Sequence, residues 1–558
     1  MNHLSRVPDW TLDCETTGLG MKDRICGVAI RAGGKSKYLP FRHKHGSNLS
    51  LDQLAMLMKE AGKHTLSGFN LSGFDTRFCR RDGMAWAVTR DVMLKAFLVN
   101  ENEPRNVGYG LEALANRYLG EEHTIQQREL HHLLVSKLLG KGDICVLPAK
   151  LVAPYACEDV ELSDKLDAFY DGHIERQKLR SVWHGVSEYG QLVGLMCERG
   201  LPINTEQCEE ELQRARCMVT ETAMEVYQRE GHVVSINSNP AAARWLGVTS
   251  TKEDDLQAMK DSMGDAGWKI ELLLKYRKLQ RAISSYYGPM LADTDEEGRL
   301  HPNIALHGTV TGRPACWSGR GHMNVLALPR DTKTYRVKQC IEAPEGQLFI
   351  QADYRTAEMR LACHYGQEKR MAALLMAGKN IHRVTSDDLK MPYDSAKRVN
   401  FSVIYGIGAP ALAENLHIDV KTAARYLRAY HKRYPGFRRL YRDAERKARQ
   451  TGRIRMWTGR LRHYNRGPVT PHHKASDHLI QGGVNELLRI KQTQLHHELS
   501  DVEQVLQVYD SAIMLVPENV AYERAEQVRE IMTHDGFTLP MEVDILIGKT
   551  LAKSENDT

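Results

Sequence analysis

Two apolar stretches far apart in the chain each carry an aspartate where a strand should be wholly apolar. Leu348-Phe-Ile-Gln-Ala-Asp353-Tyr runs apolar up to its acid, and Val505-Leu-Gln-Val-Tyr-Asp510-Ser-Ala-Ile-Met-Leu-Val is interrupted by another. A carboxylate in such a strand is costly without a cation or a polar partner. Read as two strands, Leu348–Tyr354 and Val505–Val516 can pair into one small sheet, which brings Asp353 and Asp510 together. A buried structural acid with an arginine partner is the alternative for either residue alone.

A chain of 558 residues is too long for one core, so two to four domains are expected. The first 180 or so residues mix short strands (Trp10–Glu15, Ile25–Arg31, Lys37–Pro40) with helices (Leu51–Gly62, Tyr109–Leu119, Arg128–Leu139). Strands followed by crossover helices suggest an α/β domain. From about Arg176 the pattern turns helical, at Val186–Arg199, Thr205–Glu230 and Ile270–Tyr287. Further helices, Tyr393–Tyr405, Val420–Arg433 and Lys474–Leu499, lie between the two aspartate-bearing strands.

Bulk composition excludes more than it assigns. No run of eighteen apolar residues appears, so no membrane span is expected. The start has no apolar signal core. Eleven scattered cysteines without a C-x-x-C pair argue against zinc ribbons and disulfide frameworks, and for a reducing cytoplasm. A net charge of +6 permits a nucleic-acid partner without demanding one.

A second set of acids lies near the N-terminus. Asp13 and Glu15 are two apart on a strand, so they share a face. Together they repel unless a hard divalent ion lies between them. Solvated surface acids are the plain alternative for this pair alone. Farther on come Asn70-Leu-Ser-Gly-Phe-Asp75 and Tyr155-Ala-Cys-Glu-Asp159; the latter sets a phenol and a carboxylate at i and i+4 on a helix. In the other half, Lys397, Phe401 and Tyr405 recur at i, i+4 and i+8. An aromatic stripe is usually core. A lysine heading it, with Gly406-Ile-Gly after it, suits a surface where a triphosphate meets the lysine and a base meets a ring.

The N-terminal set resembles the DnaQ-like (DEDD) 3′→5′ exonucleases. Asp13-Cys-Glu15-Thr-Thr-Gly resembles their first motif, Asn70 and Asp75 their second, and Tyr155 with Asp159 the third, in the tyrosine subtype. The segments beginning at Asp91 and Gly110 also resemble the proofreading domain of DNA polymerase I. This resemblance covers roughly residues 7–175. It implies that Asp13, Glu15, Asp75 and Asp159 hold two divalent ions while Tyr155 orients the attacking water.

The C-terminal set resembles the family A DNA polymerases over about residues 180–558. Asp353, Glu358 and Arg360 resemble motif A. Lys397, Phe401, Tyr405 and Gly406 resemble motif B, and Asp510 the aspartate of motif C. Thr311-Gly-Arg313, Ile381-His382-Arg-Val-Thr385, Gln481-Gly482 and Leu274–Leu279 also match. The resemblance implies two Mg2+ ions per site, with Mn2+ able to substitute, held here by Asp353 and Asp510. It gives Lys397 and His382 the triphosphate, with Lys397 as a proton donor to pyrophosphate. Phe401 takes the incoming sugar and base, and Tyr405 sits by the templating base. Glu358 blocks a ribose 2′-hydroxyl. Arg313 and Gln481 read minor-groove acceptors.

The implied chain is α/β. A ribonuclease H-like exonuclease domain spans residues 1–178 and a right-hand polymerase domain spans 179–558. The thumb is expected at about 205–300, the palm at about 300–370 and 440–558, and the fingers at about 371–440. The implied function is template-directed extension of a primer 3′ end with dNTPs and 3′→5′ proofreading, in DNA replication. Partners would be primer–template DNA, dNTPs, and replisome proteins such as a helicase or a single-strand binding protein, without a membrane. The setting is cytoplasmic. The chain opens at the exonuclease, so a 5′-nuclease domain is not expected.

Several positions depart from the family pattern. Tyr393 stands where an arginine is usual, Tyr509-Asp510-Ser511 where His-Asp-Glu is usual, and Asp477 where an asparagine is usual. Between Thr309 and Arg330 little survives after the Thr-Gly-Arg beyond Asn324 and Pro329. These changes suit a divergent, phage-type branch and bear on rate and nucleotide affinity more than on reaction type. An exonuclease with a degenerate polymerase half, or a catalytically dead DNA-binding subunit, would not keep Asp353, Lys397 and Asp510 together. A single-subunit RNA polymerase fits poorly with Glu358 and the proofreading motifs.

Overall fold

The computed structural model describes residues 9–18, 20–103, 108–120, 144–260, 264, 266–316, 323–464 and 471–552. The helix expected at Arg128–Leu139 lies outside them. Among the described residues no helix is long and apolar enough to cross a membrane.

The N-terminal part is built on a five-stranded sheet. Strands β1 (Trp10–Thr16), β2 (Ile25–Ala32) and β3 (Lys35–Pro40) form an antiparallel meander, and β4 (Thr65–Gly68) and β5 (Val88–Asp91) add parallel to β1. The order is β3-β2-β1-β4-β5. Helix α1 (Leu51–Ala61) begins with a capping box in which Ser50 and Gln53 satisfy each other's backbone N–H. Helix α2 (Asp75–Arg81) follows a tight turn in which the Asn70 carbonyl accepts from the Gly73 and Phe74 N–H groups. The long helix α3 (Ala149–Gln177) packs across β1, β2, β3 and β4. This is the mixed α/β layer expected from strands followed by helices.

Cys26 on β2 and Cys145 are joined as a disulfide, although the scattered cysteines argue against such bonds. The partners lie 119 residues apart in sequence, so spacing could not reveal the pair.

Helices α4 (Arg180–Arg199), α5 (Thr205–Glu230) and α6 (Gly267–Ala282) follow. The α-helical hydrogen bonding of α6 stops at Ala282, and a five-residue π turn completes the segment read as one helix to Tyr287. The second sheet is four-stranded and wholly antiparallel. Its strands are β6 (Gln347–Tyr354), β7 (Glu503–Val508), β8 (Ser511–Pro517) and β9 (Val543–Gly548), in the order β7-β8-β6-β9.

The predicted strand Val505–Val516 is therefore two strands. The chain reverses at Tyr509-Asp510, with Val508 paired to Ser511 and Tyr509 at φ 54°. Two-residue hairpin turns need positive φ at the first central residue, which usually selects Gly or Asn. A tyrosine there hides the turn in an apolar run.

Between β6 and β7 the chain makes a helical excursion. Its helices include α7 (Ala357–Gly366), α8 (Ile381–Leu389), α9 (Tyr393–Ile404), α10 (Ala409–Leu416), α11 (Val420–Arg433), α12 (Pro435–Thr451) and α13 (Ala475–Glu498). They share one apolar core, including Val399, Val403, Leu412, Leu427, Tyr430, Phe437 and Ile480.

The N-terminal part is tied to this assembly by buried charge. Glu101 accepts from Arg462 at 2.6 Å and meets His463 Nδ1 at 2.9 Å, and Arg462 also donates to Asn102.

Candidate active sites

The pairing of β6 with β8 sets Asp353 opposite Ser511, so Asp510 in the turn stands beside Asp353. The Asp510 carbonyl accepts from the Tyr354 N–H at 3.3 Å. Burial and the nearby Glu358 carboxylate raise the Asp510 pKa, and Arg313 counters them. On its other side β6 pairs Asp353 with Asp544 of β9.

After β6, Thr356 adopts φ 47° and starts α7, whose first turn carries Glu358. Glu358 is clamped from two directions. Its Oε1 accepts from Arg313 Nη2 at 2.6 Å, and its Oε2 accepts the Tyr405 hydroxyl. Sequence reading gives Arg313 to the minor groove of DNA; the structure engages it with Glu358.

Gln481 lies half-buried on α13, whose next residue, Gly482, lets the helix approach the Thr311-Gly-Arg loop. A Cβ there would stand 2.2 Å from Met456 and 3.3 Å from the Thr311 carbonyl. Two residues absent from the sequence reading complete the support. Asn485 donates to the Gly312 carbonyl at 2.8 Å. Gln507 donates to both Asn485 and the Tyr509 carbonyl at 3.1 Å, which ties this loop to the hairpin that carries Asp510. Both are buried amides on apolar elements, and that was their only sequence signal. Asp477 is pushed up to about 6 by burial and by Glu358.

The lysine stripe faces outward. Lys397 and Phe401 on α9 are exposed and Tyr405 caps the helix half-buried, while Ala396, Val399, Asn400, Val403 and Ile404 turn to the core. His382, in the first turn of α8, has its ring 5.4 Å from that of Phe401. Burial and the Lys397 charge lower its pKa, so it is neutral near pH 7. Asn400 sets its tautomer. The Asn400 amide oxygen accepts from Thr385 at 3.1 Å, which turns its NH2 toward His382 Nδ1 at 3.0 Å. Nδ1 is then the acceptor and Nε2 carries the proton. Tyr393 packs at the same place, with its ring centroid 6.2 Å from His382 and 5.4 Å from the Arg383 guanidinium.

The N-terminal acids also converge. Oxygens of Asp13, Glu15 and Asp159 all lie within 4.8 Å of one another, the one such group of three able to hold a metal ion among the described residues. Asp13 and Glu15 project from β1 and Asp159 from α3, one turn after Tyr155. The Tyr155 hydroxyl hydrogen-bonds the Asp159 carboxylate. Asp75, the first residue of α2, stands behind them: its Oδ1 accepts the Cys14 N–H at 2.9 Å.

Burial pushes Asp13 up to about 6. Burial and then the Asp13 charge push Glu15 up to about 8. Burial and the Asp13 charge hold Asp75 and Asp159 well above the usual carboxylate range. The three carboxylates of Asp13, Glu15 and Asp159 facing one point form a hard oxygen donor set, which fits Mg2+ or Mn2+. A cavity of about 400 Å3 nearby is lined by Asn70, Phe74, Arg77, Cys197 and His307 among others, and by none of these carboxylates.

Known proteins resemble this chain in sequence and in fold. The chain is 26% identical over 512 residues to the thermostable DNA polymerase I of Thermus filiformis, across 86% of this chain and 56% of that one. It is 27% identical over 299 residues to the DNA polymerase I of Helicobacter pylori, across 50% and 33%. The chain therefore matches about half the length of the first relative and a third of the second. It is 24% identical over 555 residues to DNA polymerase DpoZ of Acinetobacter phage SH-Ab 15497, across 88% and 87%. The fold matches the polymerase domain of Pol1 from M. smegmatis, solved with DNA primer-template and dNTP. The TM-score is 0.79 at 20% identity, over 97% of this chain and 95% of that one. The family model described as DNA polymerase family A matches residues 207–553, well over half of the chain, and with Asp353, Lys397 and Asp510 inside that span the chain belongs to DNA polymerase family A.

Proposed function

We propose that this chain extends a primer 3′ end with dNTPs on a DNA template and removes 3′ nucleotides at a second, N-terminal site. The observation that carries the first activity is Asp510 beside Asp353 on the β6–β8 pair, with family A membership behind it. Lys397 offers an exposed positive charge to a triphosphate, and His382 offers an Nε2–H to a phosphate oxygen. Phe401 offers a ring face to the sugar and base. Glu358 is held in a fixed orientation by Arg313 and Tyr405, where a ribose 2′-hydroxyl would meet it. Divalent ions, when bound at Asp353 and Asp510, supply Lewis-acid activation of the primer hydroxyl and charge compensation for pyrophosphate.

The second activity rests on the Asp13–Glu15–Asp159 convergence. Tyr155, hydrogen-bonded to Asp159, is placed to orient a water. The sheet order and helix α3 support a ribonuclease H-like exonuclease domain over residues 1–178, followed by a polymerase domain over 179–558. We assign the thumb to about 205–300, the palm to about 300–370 and 440–558, and the fingers to about 371–440. The coverage of the phage relative supports a phage-type replicative role in a host cytoplasm.

A labelled primer–template tests both activities with Mg2+ or Mn2+. Lengthening is expected with dNTPs, little with rNTPs, and shortening with no nucleotide. Absence of dNTP-dependent lengthening with either metal refutes the polymerase reading. Absence of shortening refutes the exonuclease.

A further inference from the structure

Tyr393 stands where the family usually has an arginine, at the start of α9 and one turn before Lys397. A cation from the neighbouring helix lies over its ring. The Arg383 guanidinium of α8 is 5.4 Å from the ring centre, and the His382 ring is 6.2 Å away, edge on. Asn380 fixes both sides of this contact. Its amide oxygen accepts from the His382 and Arg383 N–H groups at 3.0 Å, and its NH2 donates to the Tyr393 hydroxyl at 3.3 Å. The first turn of α8 and the first residue of α9 are thus pinned together.

Arg383 is exposed and gains little from its own helix. It stands in the first turn, where the dipole disfavours a cation. Asp387, one turn along α8, is spaced to pair with it, and Asp394 adjoins Tyr393. Among the described residues, however, no carboxylate forms an ion pair with Arg383, which turns to the Tyr393 ring instead. The next acid of α8, Asp388, is taken by Arg433 at 2.6 Å. A guanidinium held over a ring still presents N–H donors at its edge.

The order of groups along α9 follows the order of parts in a nucleoside triphosphate. Phe401, Lys397 and Tyr393 are one turn apart, so the stripe runs about 12 Å from Phe401 to the ring under Arg383. Lys397 is near enough for its charge to act on His382. With sugar and base at Phe401 and phosphates at Lys397 and His382, the next group along the stripe meets the end of the triphosphate.

We propose that Arg383, held over the Tyr393 ring, grips the terminal phosphate of the incoming dNTP, with Tyr393 as its positioning residue. The proposal rests on the polymerase reading. A guanidinium can give one phosphate two parallel hydrogen bonds, which a lysine cannot. The cation absent from position 393 of α9 is thereby supplied across the helix pair from α8.

The test measures dNTP affinity by pre-steady-state incorporation of one matched nucleotide, and the affinity of the matched dNDP as a competitor. Arg383→Ala is expected to weaken dNTP binding about tenfold, as for loss of one charge-assisted hydrogen bond at an exposed position. The dNDP lacks the terminal phosphate, so its affinity should stay at the parent value, as should that of primer–template. Tyr393→Leu should show the same dNTP-selective loss in weaker form. Arg383→Ala combined with Tyr393→Arg returns a cation to the stripe and should recover dNTP affinity.

Unchanged dNTP affinity in Arg383→Ala overturns the proposal. Equal weakening of dNTP and dNDP overturns it too, since that marks a general disturbance of the two helices. A loss confined to primer–template affinity gives Arg383 to DNA and likewise overturns it. Extension by the parent checks the polymerase reading separately. A parent that extends confines each outcome to Arg383, and one that does not refutes that reading and the proposal with it.

Discussion

Glu358 is held by two bonds, and on the proposed reading, in which it excludes a ribose, their strength sets how firmly it does so. To admit a 2′-hydroxyl the carboxylate must swing aside, which breaks its bond to Arg313 and its bond to Tyr405. The Arg313 and Glu358 side chains are each 17% exposed, so water screens the pair little. Both bonds end on the Glu358 carboxylate, so both are charge-assisted, and such a bond contributes about 1.5–3 kcal/mol. Breaking both resists a ribose by about 3–6 kcal/mol, a factor of about 150 to 25,000 in discrimination. Glu358→Ala is therefore expected to raise the rNTP-to-dNTP ratio of kcat/KM by that factor. Tyr405→Phe removes one of the two bonds and is expected to raise it about 10- to 150-fold. Glu358→Gln keeps the bulk and should fall between them. Pre-steady-state incorporation of one matched dNTP and the corresponding rNTP measures each ratio. If Glu358→Ala leaves the ratio unchanged, or Tyr405→Phe raises it as much as Glu358→Ala does, the clamped-gate argument is wrong.

The other expectations concern separate parts of the molecule. Asp13→Asn with Glu15→Gln should abolish 3′→5′ degradation of a labelled single strand and leave primer extension largely intact; equal loss of both would mean that the two sites are not independent. In the metal-free protein these acids keep protons that the unfolded chain releases, because Asp13 is raised to about 6 and Glu15 to about 8. The stability they allow is complete below about pH 4 and is lost as pH rises through 6 to 8. Mg2+ should therefore raise the melting temperature more at pH 8 than at pH 5, and an equal rise at both would refute the buried-carboxylate account. Lys397→Ala should slow single-nucleotide incorporation strongly and weaken dNTP affinity, with primer–template affinity near normal; a loss confined to DNA binding would displace Lys397 from the triphosphate. Glu101→Ala leaves Arg462 buried without its carboxylate and should cost about 3–5 kcal/mol in urea unfolding. A cost below about 1 kcal/mol would show that this tie is not what joins the N-terminal part to β-strand residues Leu461–His463.

Which candidate residues share a face within one strand or helix was legible in the sequence by itself. Motif spacing is local: two residues on a strand share a face, and four on a helix share a side. Asp13 with Glu15, Tyr155 with Asp159, and Lys397 with Phe401 could thus be grouped without knowing the fold. The outward stripe on α9 followed from the same periodicity, since a lysine is costly to bury unless an acid pairs with it, as Asp167 does with Lys95.

What only the tertiary structure decided were relations between distant segments. The reversal at Tyr509-Asp510 depends on the pairing of β8 with β6, because the run itself has no glycine or asparagine to announce a turn. The clamp on Glu358 draws Arg313 from a loop before β6 and Tyr405 from the end of α9. The disulfide joins Cys26 to Cys145, and Asn485 and Gln507 gain their roles only where α13 meets the hairpin. A single residue's pattern carries its own face and its own helix or strand. Which polar group it meets from elsewhere is set by packing, where a buried donor or acceptor must find its partner or forfeit the hydrogen bond it had in water.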